Sequence, residues 1–213
     1  MNLLCSWSGG KDSCYALMKA VEMGHTPKII LNMMNENGKI SRSHAIDKSI
    51  LEAQAKAMKL DFNGIPASWN DYEDKFVSAL KSAKEKHNVE AAVFGDIDLQ
   101  AHLDWEEKVC QAAELKPLLP LWQQDRKALV LEMIEAGIET RITSCNTDMG
   151  IDFLGRKIDS EIITELEALD IDVCGENGEF HTLVTYCPLF DAPIELPPHK
   201  KVLHENYCFL QWD

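Results

Sequence analysis

The sequence predicts an α/β fold, a doubly wound parallel sheet with a smaller α/β subdomain toward the C-terminus. Three observations predict it. Short apolar runs alternate with helical periodicity through the first half of the chain, the pattern of βαβ units whose sheet is covered on both faces. The first of these runs feeds straight into a Gly-Gly turn that opens a helix. With 213 residues, 46% hydrophobic and 26% charged, the chain can bury a sizeable core without covalent staples.

Leu3-Leu4-Cys5 reads as the first buried strand, and Tyr15, Met18 and Val21 carry the helix after it, which stops at Gly24. Ile29-Ile30-Leu31 is the second strand, followed by a helix on Ile46, Ile50, Ala53 and Ala57. A weaker run from Phe62 to Ile65 is the third strand. A helix begins near Asn70, with Glu73 three residues later and an apolar stripe of Tyr72, Phe76, Leu80 and Ala83. Ala91-Ala92-Val93-Phe94 is the fourth strand. The segment Lys116-Pro117-Leu118-Leu119-Pro120-Leu121-Trp122 then breaks the alternation, which sets the expected boundary between a domain 1–120 and a domain 121–213. Beyond it, Leu129, Met133 and Ile134 mark a helix ending at Gly137, and Ile162, Leu166 and Leu169 mark another.

Thirty-five acidic residues against 21 basic give a net charge of -14, which disfavours nucleic acid as a partner because phosphate backbones need clustered Lys and Arg. No stretch approaches the roughly 20 apolar residues that span a bilayer, and the Gly-rich turn comes too early for a secretory signal. The expectation is a cytoplasmic protein with no membrane partner. Seven cysteines, from Cys5 to Cys208 and without a C-x-x-C pair, suit reduced thiols.

Chemistry concentrates first in Trp7-Ser8-Gly9-Gly10-Lys11-Asp12-Ser13, between the first strand and its helix. Adjacent glycines let backbone N–H groups turn inward around an anion, the helix N-terminus adds partial positive charge, and Lys11 adds a full one. Ser8 and Ser13 offer hydroxyls to the same oxygens, and Asp12 either shapes the loop or meets magnesium. The spacing fits neither G-x-x-x-x-G-K-[ST] nor G-x-G-x-x-G. A plain Gly-Gly turn before a capped helix is the competing reading.

The run resembles the S-G-G-K-D-S loop of the N-type (PP-loop) ATP pyrophosphatases, whose fold is of the adenine nucleotide alpha hydrolase (HUP) type. The resemblance implies ATP cleaved to AMP and pyrophosphate. It implies that Ser8, Gly9, Gly10, Lys11, Asp12 and Ser13 hold the leaving pyrophosphate, that the backbone around Asn32 and Met33 holds adenine, and that Mg²⁺ screens the phosphates. Within that group the chain resembles the diphthine ammonia ligase family along nearly its whole length. Gly95-Asp96-Ile97 with the helix of Glu107, Val109 and Cys110, then Leu121-Trp122, then Cys174-Gly175-Glu176-Asn177-Gly178-Glu179-Phe180-His181-Thr182 leading to Pro188-Leu189-Phe190, carry the likeness. It implies adenylation of a carboxylate-bearing acceptor, diphthine on an elongation factor, and displacement of AMP by ammonia. Homo-oligomerisation stays open.

The chain departs from that pattern at Asp96, Asp98, Gln100 and His102, and in Glu-Asn-Gly-Glu-Phe-His-Thr where the family form has Glu-Gly-Gly-Glu. A related ligase with another small-molecule acceptor, or a nucleotide sensor with little turnover, are the alternatives. Gly95 ends a strand where open α/β sheets bind ligands. Asp96 and Asp98 therefore either meet metal and substrate or cap the next helix. The expected catalytic set is Lys11, Asp12, Asp96, Glu176, Glu179 and His181, with Asp12 and Asp96 on the metal and Gly95 in the nucleotide pocket. His102 and Glu106, four apart on one helix face, read as a solvated pair. Cys174, His181 and Cys187 match no usual zinc spacing, and Arg126, Arg141 and Arg156 read as surface residues.

Overall fold

The computed structural model describes residues 1–212. Five strands, β1 (Asn2–Ser6), β2 (Thr26–Met34), β3 (Asp61–Pro66), β4 (Ala91–Val93) and β5 (Lys116–Leu118), alternate with α1 (Lys11–Glu22), α2 (Lys48–Ala57), α3 (Tyr72–His87) and α4 (Gln100–Ala113). All pairings are parallel, in the order β3-β2-β1-β4-β5. Successive side chains of β1 face opposite ways. Leu3 and Cys5 join the core on the α1 and α2 side, while Leu4 packs with Phe76, Leu80 and Val109 on the α3 and α4 side. The chain winds outward from β1 to β3, then returns to place β4 on β1's other edge. The carboxyl ends of β1 and β4 are thus the switch point at which such sheets bind ligands.

The expected strands and helices of this half form, with two corrections. Lys116–Leu118 is a fifth parallel strand rather than the start of a break. Pro117 is accommodated because β5 is the edge of the sheet, where a missing N–H breaks no ladder. Ile46 precedes its helix instead of lying in it: Asp47 caps α2 through Ser49 N, and Ile46 sits in a turn that bonds back to Ser41.

The remainder holds α5 (Arg126–Glu135), β6 (Glu139–Asn146), α6 (Ser160–Ala168), β7 (Phe180–Tyr186), β8 (His199–His204) and β9 (Tyr207–Trp212), with one 3-10 turn at Ile151–Phe153. The four strands make an antiparallel sheet in the order β7-β6-β9-β8. This sheet shares the core of α1: Ile142, Leu183, Val184 and Leu210 belong to one buried cluster with Leu17 and Leu51. All seven cysteines are buried as free thiols. Among the described residues no helix is long and apolar enough to cross a membrane.

Candidate active site at the switch point

The Ser8–Ser13 loop leaves β1 and turns at Gly9, whose φ of +88° suits glycine. A Cβ at Gly9 would fall 2.8 Å from Leu51 Cδ2, and one at Gly10 would fall 3.0 Å from the Thr182 carbonyl oxygen. The loop is thus closed on two sides by other elements. Ser8 and Ser13 hydroxyls meet at 3.0 Å, and Gly10 N donates to Ser8 Oγ. Gln54 of α2, fully buried, fastens the loop: its amide nitrogen donates to Gly9 O and Val184 O, and its carbonyl accepts from Trp7 Nε1. On the other side β7 docks on the loop, with Val184 N donating to Gly9 O at 2.9 Å and Lys11 N donating to Thr182 Oγ1 at 3.1 Å.

Lys11 is 3% exposed. Its ammonium donates to both oxygens of Asp12 at 2.9 Å and to Cys174 O at 2.5 Å. Burial pulls its pKa down, but the charges of Asp12, Cys174 and Glu176 more than offset this, so the ammonium stays charged. Gly95, beyond β4, approaches the start of α1 so closely that a Cβ there would lie 2.6 Å from Ser13 N.

The late motif forms the opposite wall. Asp172 organises it, accepting from Cys174 N and Glu176 N, while Arg126 holds Asp172, Asn177 and Asp98 together. Gly175 turns with a φ of +74°. Glu176 then faces Asp12, and burial with that neighbouring charge pushes its carboxyl up to about 7. Loop and motif line one cavity of about 710 Å³, together with Asn32, Met33, Gly95, Asp96, His181 and Thr182.

Several expected residues are placed otherwise. Glu179 does not line this cavity; its carboxylate accepts from Asn177 N and Nδ2 and so braces the turn. Asp98 is taken up by Arg126. Neither Asp96 nor Asp98 caps α4, whose N-cap is Leu99 with no side-chain bond. Among the described residues the one group of three that could ligate a metal is Asp12, Cys174 and Glu176, which leaves Asp96 out and does not join Cys174 to His181 or Cys187. Arg156 pairs with Glu165, and Arg141 donates to Gly155 O.

Glu106 is not solvated. It is 3% exposed, and it joins Asp96 and His102 at the cavity edge. His102 Nδ1 and Asp96 lie 2.5 Å apart, a contact that raises the imidazole pKa. Burial pushes Asp96 up, but the hydrogen bonds from His102 and Glu106 bring it below the usual carboxylate range. Burial, then the hydrogen bond and charge of Asp96, push Glu106 up to about 11. The folded protein therefore holds this proton at neutral pH, whereas the unfolded chain releases it near 4.5. Its contribution to stability is complete below that value and is lost as pH rises toward 11. Glu106→Gln, which keeps a donor for Asp96, is expected to stabilise the fold by about 1–3 kcal/mol at pH 8 and to change it little at pH 4.5. Chemical denaturation at the two pH values measures this, and an equal change at both would refute the protonated carboxyl.

His44, Gln54, Trp69, Trp105 and Thr182 also belong to the site or its support. The sequence held one usable signal among them. Gln54 stands four residues after Ile50, on the buried stripe of α2, where an uncharged polar side chain needs partners.

The pocket suits an adenine nucleotide. Asn32 Nδ2 donates to Trp7 O while its Oδ1 is buried without a partner, an acceptor suited to an amino donor at the end of β2. The absence of side chains at Gly9 and Gly10 lets α2 and β7 close against the loop, while the Ser8 and Ser13 hydroxyls and the Lys11 ammonium line the cavity. Asp12 and Glu176 offer carboxylates suited to Mg²⁺, a hard cation that the Cys174 thiol would not select.

A doubly wound parallel sheet with an S-G-G-K-D-S loop at its switch point, closed over by a second sheet, defines a PP-loop nucleotide-binding protein. Residues 1–117 match the diphthamide synthase N-terminal domain and residues 125–213 the diphthamide synthase C-terminal domain. The chain belongs to the diphthamide synthase family. It is 30% identical over 232 residues to the diphthine–ammonia ligase of Homo sapiens, covering 95% of this chain and 85% of that protein. It is 31% identical to that of Bos taurus with the same coverage, and 28% identical to that of Danio rerio, covering 95% and 89%. A solved structure, the predicted subunit of tRNA methyltransferase from Methanocaldococcus jannaschii, superposes with a TM-score of 0.50 at 15% identity. The superposition covers 91% of this chain and 100% of that one, a likeness of fold alone.

Proposed function

We propose that this chain is an ATP-dependent amide ligase that converts the carboxylate of diphthine to a carboxamide with ammonia, releasing AMP and pyrophosphate. One observation carries the reading: the phosphate loop and the Cys174–Thr182 segment are bonded to each other and line a single cavity. Activation and amidation need both reactants within contact distance. The acceptor carboxylate attacks the α-phosphorus and the P–O bond to pyrophosphate breaks. Ammonia then attacks the acyl carbon and gives up one proton to solvent, and AMP leaves with the former carboxylate oxygen.

In this reading Ser8, Gly9, Gly10, Lys11 and Ser13 hold the departing phosphates, Asn32 and Met33 hold the base, and Gly95, in the wall of the nucleotide pocket, lets the first turn of α1 seat the loop against the sheet. Asp12 and Glu176 hold Mg²⁺, which supplies charge neutralisation of the polyphosphate. Asp96, backed by Glu106 and His102, presents its carboxylate to the cationic nitrogen donor or acceptor. His181 faces the loop from β7, and Glu179 supports the turn that positions Glu176.

The test is to mix the protein with ATP, Mg²⁺, ammonium and diphthine-bearing elongation factor and resolve the products. AMP, pyrophosphate and the carboxamide should appear in equal amounts, each dependent on ammonium, and chelation of Mg²⁺ should stop all three. ADP and orthophosphate as primary products would overturn the reading.

A further inference from the structure

The segment between β2 and α2 does not follow from helix or strand periodicity, yet it is firmly held. Arg42 N donates to Met33 O, its guanidinium bonds Ala67 O and stacks on Trp69, and Ser41 and Ile46 close a turn in both directions. Ala45 sits at a φ of +53°, a conformation that non-glycine residues adopt with strain. The consequence is the position of His44. Its Nε2 lies 3.2 Å from where a Cβ of Gly10 would stand, so the ring rests against the phosphate loop. Its Nδ1 is buried without a hydrogen-bond partner, a state that ordinarily destabilises a fold unless a ligand relieves it. The ring centroid of His181, from β7, is 4.4 Å away, and both imidazoles line the same cavity as Ser8, Lys11 and Ser13.

We propose that His44 is a pyrophosphate-binding residue, donating an imidazole N–H to the terminal phosphates beside Gly10, with the tilted ring of His181 packed against it as a positioning residue. The need for it is visible in the charge balance. Lys11, the ammonium at the loop, is already paired with Asp12, and Glu176 adds a second carboxylate nearby. A polyanion entering there meets little uncompensated positive charge, and neutral N–H donors offset the deficit as they do in other anion sites. Burial, His181 and the Lys11 ammonium all lower the His44 pKa, so the free protein carries it as a neutral imidazole with one such donor.

This inference rests on the loop being the phosphate site, and the experiment separates the two. Affinities for inorganic pyrophosphate and for AMP, both with Mg²⁺, are measured by calorimetry on wild type, Lys11→Ala, His44→Phe and His44→Gln. His44→Phe keeps a ring packed against His181 without an N–H and should bind pyrophosphate about 10- to 100-fold more weakly, with AMP affinity within about threefold. His44→Gln, which restores a donor, should recover most of the loss. If His44→Phe does not fold, His44→Leu carries the same expectation. Pyrophosphate affinity near wild type in the His44 variants alongside a large loss in Lys11→Ala would overturn the role of His44 alone. No loss in Lys11→Ala would sink the loop assignment and this inference with it, and equal losses for AMP and pyrophosphate would reduce His44 to a residue that shapes the whole pocket.

Discussion

Lys11→Ala is expected to lower kcat/KM for ATP by about 10- to 100-fold, the loss of one charge-assisted hydrogen bond of roughly 1.5–3 kcal/mol. The effect has two sources. The ammonium that would meet phosphate disappears, and the two carboxylates facing it, Asp12 and Glu176, remain to repel the polyanion. Because Lys11 Nζ also donates to Cys174 O, the late motif loses its anchor to the loop, so acceptor-dependent turnover should fall with nucleotide affinity. Initial rates at limiting ATP, with ammonium and acceptor saturating, measure the effect. A value within about threefold of wild type would show that the phosphates lie elsewhere.

Gly95→Ala is expected to destabilise the fold by about 1–3 kcal/mol and to abolish measurable nucleotide binding. The added methyl carbon would stand 2.6 Å from Ser13 N and 2.7 Å from Asp12 C. Those are backbone atoms of the first turn of α1, so no side chain can rotate away to make room. Either β4 or the loop must move, and the loop, fastened by Gln54 and β7, would be displaced from both clamps. Gly24→Ala is the control, since a Cβ at Gly24 meets nothing within 4 Å, although its φ of +83° brings some strain of its own. Melting temperature and ATP-dependent thermal shift separate the two effects. A Gly95→Ala protein that melts normally and still gains stability from ATP would refute the close approach.

The parts legible in the sequence are those written in local pattern. Apolar runs three or four residues long separated by amphipathic stretches yield the parallel sheet, since strand and helix faces are set by period alone. The S-G-G-K-D-S string after the first run singles out the loop that lines the cavity, because its pattern resides in consecutive residues. The antiparallel sheet was much less visible. Glu139–Asn146 carries four consecutive buried residues, Ile142 to Cys145, two of them the polar Thr143 and Ser144, with a buried Thr140 before them, so its burial follows the partner strand rather than an apolar alternation. Pro117 pointed away from a strand because the sequence does not say which strand is the edge.

By itself the sequence determined the class of sheet and the two polar Gly-rich motifs, Ser8–Ser13 and Cys174–Thr182, all properties of residues adjacent in the chain. Tertiary structure alone decided which polar residues serve those motifs. Glu106 passes from solvated partner to buried acid because α4 packs on α3 and turns that face inward. Asp98 is claimed by Arg126 from α5, 28 residues away, while Glu179 turns back to its own loop. His44 and Gln54 reach the phosphate loop only because α2 packs behind it and β7 closes over it. Distances of this kind depend on how remote segments pack, and burial then fixes charge and hydrogen bonding, so no local pattern encodes them.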